Sequence, residues 1–427
     1  MRDNKPKIFN SKFRILINIS ILRRDIGLCF LLRRVLEKFG FDVLLSAPSN
    51  NSKNIFLWKP DLFITQTLSQ ANYLKKQYPN IKVLFLDPEG FYLNFSIAPY
   101  YKLNKKDELV NSIDLILCWG KVVAGQVKKI LNKKDKKKVF IVGNPKLDLV
   151  DFFSQRKIIK KKSVGIIGRF PSINSVTGKT TIRTLANDGN LSRVIIQCKD
   201  FVVNHKIIKE ILNKTDYSIS IRPHPLEQIS GTVEYVNSNL NGYKDRLEID
   251  KSLIFSEWAK KQDYIITPTT SSFIETYRLG IPLIIIDYIA GTFSYWKKYK
   301  MLRLWQDNSF CPKSLGKLIE IIKFKKRIKS KSNDIEKQYN DYCDCIVKEP
   351  AVFRIAKKID EFLLNNNLHL NRSIIRVPKF LVRLINIYFN RQYAKKDNLY
   401  FESFYDEIIH KEPIFIKNMV KFFQSKY

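Results

Sequence analysis

Short apolar runs alternate with segments of helical spacing along the first 150 residues. Phe13 to Ser20 is apolar and rich in β-formers, and Asp25 to Gly40 then places Leu28, Leu31, Leu32, Val35 and Leu36 on one helical face before a terminating glycine. The alternation continues with strands over Asp42 to Ala47 and Pro60 to Gln66, a helix over Leu68 to Tyr78, and strands over Ile81 to Asp87 and Ile113 to Trp119. A helix over Val122 to Leu131 and a strand over Val139 to Val142 complete the set. Apolar strands separated by helices predict a parallel sheet covered on both faces. The first domain is therefore expected to be Rossmann-like and to span residues 1–150.

A basic stretch, residues 151–162, carries little hydrophobic pattern and reads as a linker. The alternation then returns. Strands are expected over Ser163 to Ile167, Tyr217 to Arg222, Tyr264 to Thr267 and Pro282 to Asp287, with a helix over Ser272 to Leu279. Ser192 to Cys198 fits either helix or strand. This second doubly wound domain is expected over residues 163–312.

From Lys313 the strand signal fades, and residues 313–427 read as a basic helical extension packing back on the first domain. Within it Val377, Phe380, Leu381, Leu384, Ile385 and Tyr388 share one face of a helix over Pro378 to Asn390, with Lys379, Arg383 and Asn386 on the other. The apolar face is expected to pack against the protein body; the second reading is contact with an anionic membrane surface.

Composition narrows the choice of partner. The 427 residues hold 75 Lys and Arg against 40 Asp and Glu, a net charge of +35, spread along the chain. Such an excess favours phosphorylated substrates, anionic lipid or nucleic acid. No RNA- or DNA-binding module is recognisable, so no specific nucleic acid is expected. The six cysteines are scattered, and the single Cys343-x-Cys345 pair lacks the further ligands of a zinc site, so reduced thiols are expected. Charged residues interrupt the N-terminal apolar run, and no stretch is long and apolar enough to span a bilayer. The expectation is a cytoplasmic protein.

Three segments carry candidate chemistry. Arg222-Pro223-His224-Pro225 follows a strand directly, at the carboxyl edge where open α/β sheets hold their ligands. An imidazole held between two prolines offers a hydrogen bond or a charge to a phosphate oxygen. Thr269-Thr270-Ser271-Ser272 joins a strand to the start of a helix, where hydroxyls and first-turn N–H groups form an anion site. Glu275, one turn further on, is placed to accept hydrogen bonds from a ribose. Leu86-Asp87-Pro88-Glu89-Gly90 ends a strand of the first domain and offers a carboxylate as general base. Weaker candidates are Gly168 and Arg169, for an acceptor or a phosphate. Gly178-Lys179-Thr180 has the end of a Walker loop, but Ile173 stands where its leading glycine belongs, so that motif is set aside.

The combination resembles the bacterial surface carbohydrate biosynthesis family, a group of GT-B glycosyltransferases related to capsule polysialyltransferases, Kdo transferases and CDP-glycerol glycerophosphotransferases. The residues that carry the likeness are Leu86 to Gly90, Val142-Gly143-Asn144-Pro145, Gly168-Arg169-Phe170, Arg222 to Pro225 and Thr270 to Ser272. It implies a GT-B fold, with two Rossmann-like domains facing a central cleft, and an inverting sugar transferase. Its donor would be a nucleotide sugar such as CMP-activated nonulosonic acid or a Kdo-like sugar, and its acceptor a surface polysaccharide or lipid-linked oligosaccharide. By the same resemblance His224, Ser271 and Ser272, with Thr270, hold the donor phosphate, and Arg222, Pro225 and Glu275 line the nucleotide. Glu89 serves as base with Asp87 as its competitor, since Pro88 separates two acids that the family keeps adjacent. No metal and no cofactor are implied. A glycerophosphotransferase using the same apparatus, and a non-catalytic scaffold of polysaccharide assembly, are the alternatives.

Overall fold

The computed structural model describes residues 13–86, 111–155, 162–178, 180–188, 191–297, 306–326, 333–344, 348–365, 377–386, 416, 418–419 and 421. Asp87 and Glu89 lie outside the described residues, as do Lys179, Cys345 and Tyr388. The chain divides into two compact units, residues 1–149 with 337–427, and residues 150–336.

In the first unit the strands β1 (Arg14–Asn18), β2 (Asp42–Ser46), β3 (Leu62–Thr65), β4 (Lys82–Leu86), β5 (Leu115–Cys118) and β6 (Val139–Ile141) form a six-stranded sheet in the order β2-β1-β3-β4-β5-β6. Every pairing is parallel. The strands are buried almost throughout because helices cover both faces: α1 (Leu22–Lys38), α2 (Asn51–Trp58), α3 (Leu68–Gln77), α4 (Lys121–Ile130) and α5 (Pro145–Ser154). Leu16, Phe63, Phe85 and Ile116 of the strands pack with Trp58, Leu74 and Val127 of the helices in one apolar core. Burying a side chain of this size stabilises the fold by roughly 1.5–3 kcal/mol.

The second unit opens with β7 (Ser163–Ile167), followed by α6 (Thr181–Asp188), α7 (Leu191–Lys214) and β8 (Ser218–Arg222). Then come α8 (Ile229–Asn239), β9 (Leu247–Ile249), α9 (Phe255–Ala259), β10 (Tyr264–Thr267), α10 (Phe273–Leu279), β11 (Leu283–Ile285), α11 (Phe293–Lys297) and α12 (Leu315–Lys323). Its five strands run in the order β11-β10-β7-β8-β9, all parallel, so the chain reverses direction across the sheet between β7 and β10. The ambiguous run Ser192 to Cys198 is helical, as part of α7. Its β-branched residues read locally as strand, but the buried positions Val194, Gln197, Asp200, Asn204, Ile208 and Ile211 recur at helical spacing over the whole 24-residue element. Gly165 lets α9 lie directly on β7, since a Cβ there would stand 2.8 Å from the Trp258 ring. The Trp258 indole N–H donates to Ser220 Oγ at 2.8 Å.

The expected extension from Lys313 is divided between the units. α12 buries Leu318, Ile319, Ile321 and Ile322 in the core of the second sheet. α13 (Asn333–Cys343) and α14 (Ala351–Asn365) lead back to the first unit, where α14 contacts α1 and Asp148 accepts the Ala351 and Val352 N–H groups at 3.1 and 2.8 Å.

The helix over residues 379–386 is turned opposite to the expectation. Lys379 pairs with Glu37 and Asp42, Val382 joins the first core, and Asn386 Nδ2 donates to Asn54 Oδ1 at 2.9 Å. Phe380, Leu381 and Leu384 are exposed. The reason is that the surface it meets offers carboxylates and an amide, which satisfy the polar face. No described helix is long and apolar enough to cross a membrane. Cys29, Cys118, Cys198, Cys311 and Cys343 are free thiols.

Candidate functional site

The carboxyl edge of the second sheet gathers most of the predicted residues. Gly168 and Arg169 leave β7, Pro223 to Pro225 leave β8, and Pro268 to Ser272 leave β10. β8 and β10 flank β7, so their ends lie about 10 Å apart at ordinary strand spacing. That gap at the point of strand reversal is where ligands of doubly wound sheets sit.

His224 occupies a turn fixed by its own atoms. Its carbonyl accepts the Glu227 N–H at 2.8 Å, and Nδ1 accepts the Leu226 N–H at 3.1 Å. An accepting Nδ1 places the proton of the neutral ring on Nε2, so this edge is the donor. The turn is held against the loop after β7: Ser175 pairs with Glu227 in an antiparallel bridge, and Val176 N–H donates to Leu226 O at 2.9 Å. Pro225, half-buried, lies within this turn.

The Thr269–Ser272 turn has the composition of an anion site. Among the described residues the Thr270 and Ser271 N–H groups have no acceptor. Ser272 Oγ is buried without a hydrogen-bond partner among the described residues, although the residue caps α10. Thr270 Oγ1 only weakly accepts the Ser272 N–H, at 3.5 Å. Since α10 is only seven residues long, the capacity for an anion rests on these loop groups more than on a helix dipole. Glu275, half-buried, lies within electrostatic range of Arg222.

Arg222 and Arg169 are tied into the scaffold. Arg222, 4% exposed, pairs with Asp250, donates to Ser252 Oγ at 2.9 Å and lies over the rings of Phe255 and Trp258. It thereby fixes the loop that leaves β9. Arg169 donates from Nη1 to Thr269 O at 2.5 Å and from Nη2 to Asp200 at 2.9 Å. Gly168 makes room for a neighbour: a Cβ there would meet Glu227 Oε2 at 3.0 Å, and Glu227 Oε1 accepts the Phe170 N–H.

Beneath the turn lies a buried acidic pair that was not singled out from the sequence. Asp287, fully buried, accepts the Thr269 N–H at 3.1 Å and the Thr269 hydroxyl, with Gln306 Nε2 at 3.3 Å. Burial raises its pKa, against the lowering effect of the Thr269 hydrogen bonds. Burial pushes the Asp200 carboxyl up to about 6, Arg169 opposing and the like charge of Asp287 adding to the rise. A signal for both was present: Asp287 ends an apolar strand at the carboxyl edge, and Asp200 interrupts the apolar stripe of α7. Among the described residues no group of three or more His, Cys, Asp or Glu is arranged to hold a metal ion.

No protein family matches the chain, and no curated protein does. Solved structures do. S. aureus MnaA, solved with UDP, is 13% identical, with a TM-score of 0.52 over 83% of this chain and 97% of that one. UDP-GlcNAc 2-epimerase from Methanocaldococcus jannaschii is 14% identical, with a TM-score of 0.49 over 82% of this chain and 100% of that one. The fold is of the GT-B type. At these identities the likeness is one of fold: two Rossmann-like units with parallel sheets.

Proposed function

We propose that the chain is a nucleotide-sugar enzyme, an inverting glycosyltransferase that builds a surface polysaccharide or a lipid-linked oligosaccharide. The observation that carries this reading is the Thr269–Ser272 turn: among the described residues two of its N–H groups have no acceptor and the buried Ser272 hydroxyl has no partner, at a strand end with only β7 between it and the strand that leads to His224. Unsatisfied donors at a sheet's carboxyl edge fit a phosphate oxygen. Thr270, Ser271 and Ser272 hold the donor phosphate together with His224 Nε2–H. Arg222, through the Asp250–Ser252 loop, and Pro225 shape the nucleotide side, and Glu275 accepts from the ribose. Gly168 and Arg169 set the loop that faces the sugar.

In the reaction Glu89, or Asp87 in its place, takes the proton of the acceptor hydroxyl. The hydroxyl oxygen bonds to the anomeric carbon as the bond from that carbon to the phosphate oxygen breaks, and the nucleotide leaves with the electron pair. One displacement inverts the centre. His224 and the serines stabilise the charge that grows on the leaving phosphate. No Asp-x-Asp follows a strand of the donor unit, which supports a reaction without a metal. The work would be done at the cytoplasmic face of the membrane, where the +35 net charge favours an anionic polymer or lipid-linked acceptor.

The donor is a pyrimidine nucleotide sugar in this reading. The motif resemblance points to cytidine, as in a CMP-activated nonulosonic acid, whereas the fold neighbour from S. aureus was solved with UDP. Calorimetric titration with CMP, CDP, UDP and GDP at two salt concentrations, for the wild type and His224→Ala, tests it. Selective binding of one pyrimidine nucleotide that His224→Ala loses is the expected result. Binding that salt abolishes for all four alike overturns the transferase reading in favour of a scaffold. Product analysis separates sugar transfer from the transfer of a glycerophosphate.

A further inference from the structure

A cavity lies in the 150–336 unit beside the loops that carry Arg169 and His224. It measures about 330 Å³ and runs between the end of β7, α7 and α8. This volume falls at the lower end of the range of roughly 300–1,000 Å³ for small-molecule sites. Phe170, Phe201 and Tyr235 line it, their rings meeting edge to face at 5.3 and 5.0 Å, and Ile173 and Ile208 complete an apolar wall.

One wall residue breaks this pattern. Asn204, 4% exposed, lines the cavity, and neither its amide nitrogen nor its amide oxygen has a partner among the described residues. The other polar residues on the buried stripe of α7 are engaged. Gln197 accepts the Ser172 N–H at 2.8 Å, and Asp200 holds Arg169. A buried polar group left unsatisfied costs about 1–3 kcal/mol, so an amide on this wall calls for an occupant that pairs with it. The one carboxylate among the described lining residues, Glu227, is engaged by the Phe170 N–H, and the groups beside the aromatic wall favour their neutral forms. Burial lowers the pKa of His205, whose Nδ1 lies 2.5 Å from the Tyr235 hydroxyl, and burial pushes that hydroxyl up to about 12.

We propose that this cavity binds a small, uncharged, planar ring whose edge carries a hydrogen-bond donor beside an acceptor, as in a carboxamide or lactam. The ring lies among Phe170, Phe201 and Tyr235, and its edge pairs with both groups of Asn204. Such a donor–acceptor edge is what an asparagine amide recognises bidentately. None of His224 and Thr269 to Ser272 lines the cavity, so it is distinct from the proposed phosphate site, with Gly168 in the loop between them. The occupant nevertheless bears on it, because the cavity's outer wall includes Phe170, Ile173 and Glu227, in the two loops that fix Arg169 and His224.

The full-length protein is titrated with benzamide and with toluene, a ring of similar size without the polar edge, by ligand-observed NMR. Benzamide is expected to bind at one site at least about tenfold tighter than toluene. Asn204→Leu should abolish that preference while leaving the melting temperature unchanged or higher. Thr232→Phe, which fills the cavity from α8, should abolish binding of both, and it gives an independent reading should Asn204→Leu not fold. Equal affinity for the two probes, no binding of benzamide, or benzamide binding that both variants retain would overturn the proposal. So would a crystal structure in which water on Asn204 persists at saturating benzamide. None of these outcomes depends on nucleotide binding, so the site and the transferase reading stand or fall separately.

Discussion

Arg169 and Asp200 form a buried ion pair, Nη2 to Oδ2 at 2.9 Å, that joins the end of β7 to the middle of α7. The same guanidinium donates to Thr269 O, so the pair also fixes the turn that holds the phosphate in our proposal. Because the Asp200 carboxyl stands at about 6, above the roughly 3.9 of an unfolded aspartate, the folded state binds its proton more tightly. The stabilisation is complete below about pH 4 and is lost as pH rises through about 6, on the order of 3 kcal/mol by pH 7. Urea unfolding of the wild type and Asp200→Asn at pH 4.5 and 7 checks this. The stability of the wild type relative to the variant should fall between the two values.

Ser272→Ala separates stability from function. The hydroxyl is buried without a partner among the described residues, so its removal should leave unfolding free energy unchanged or raise it by up to about 1 kcal/mol. Nucleotide affinity should nevertheless drop about tenfold, since one hydrogen bond to a charged phosphate is lost. Thermal melts and calorimetry on the same samples measure both. Unchanged affinity would remove the turn from the donor site.

His224→Ala should lower turnover by about 10² to 10³ if Nε2–H meets the leaving phosphate. The Leu226 N–H loses its acceptor, a change confined to a half-exposed turn, so the melting temperature should move little. Steady-state kinetics with the nucleotide sugar selected by titration supply the comparison.

Asp148→Ala removes the acceptor for two N–H groups at the start of α14, Ala351 and Val352, in a buried setting. The helix is thereby uncapped, at a cost of about 2 kcal/mol. A matching drop in the urea midpoint is expected. Asp148→Asn keeps one acceptor oxygen but turns an NH2 donor toward the second N–H, so it should lose at least half as much.

The alternation of apolar runs with helical spacing was enough to predict two parallel sheets, because strand and helix periodicity are local properties of the chain. The predicted strands are all present: Ser163–Ile167 and Tyr264–Thr267 have the expected bounds, and the others are shorter by a residue or more, as at Arg14–Asn18 within Phe13 to Ser20. β9 and α2 went unseen, since three-residue Leu247–Ile249 and Asn-rich Asn51–Trp58 carry too few apolar positions to show a period. The positions of His224 and Thr269–Ser272 at strand ends were equally legible, because a turn that follows a strand is placed by the strand itself.

Tertiary structure alone decided what opposes each of these residues. Arg169 and Asp200 are 31 residues apart, Arg222 and Asp250 are 28 apart, and Arg169 reaches Thr269 across 100. No local pattern pairs them. The helix over 379–386 makes the point most directly: its sequence determines which face is apolar, yet Lys379 and Asn386 turn inward because Glu37, Asp42 and Asn54 are there to receive them. Periodicity ranks the faces of a helix by their cost in water, whereas orientation depends on the partners that the folded surface supplies.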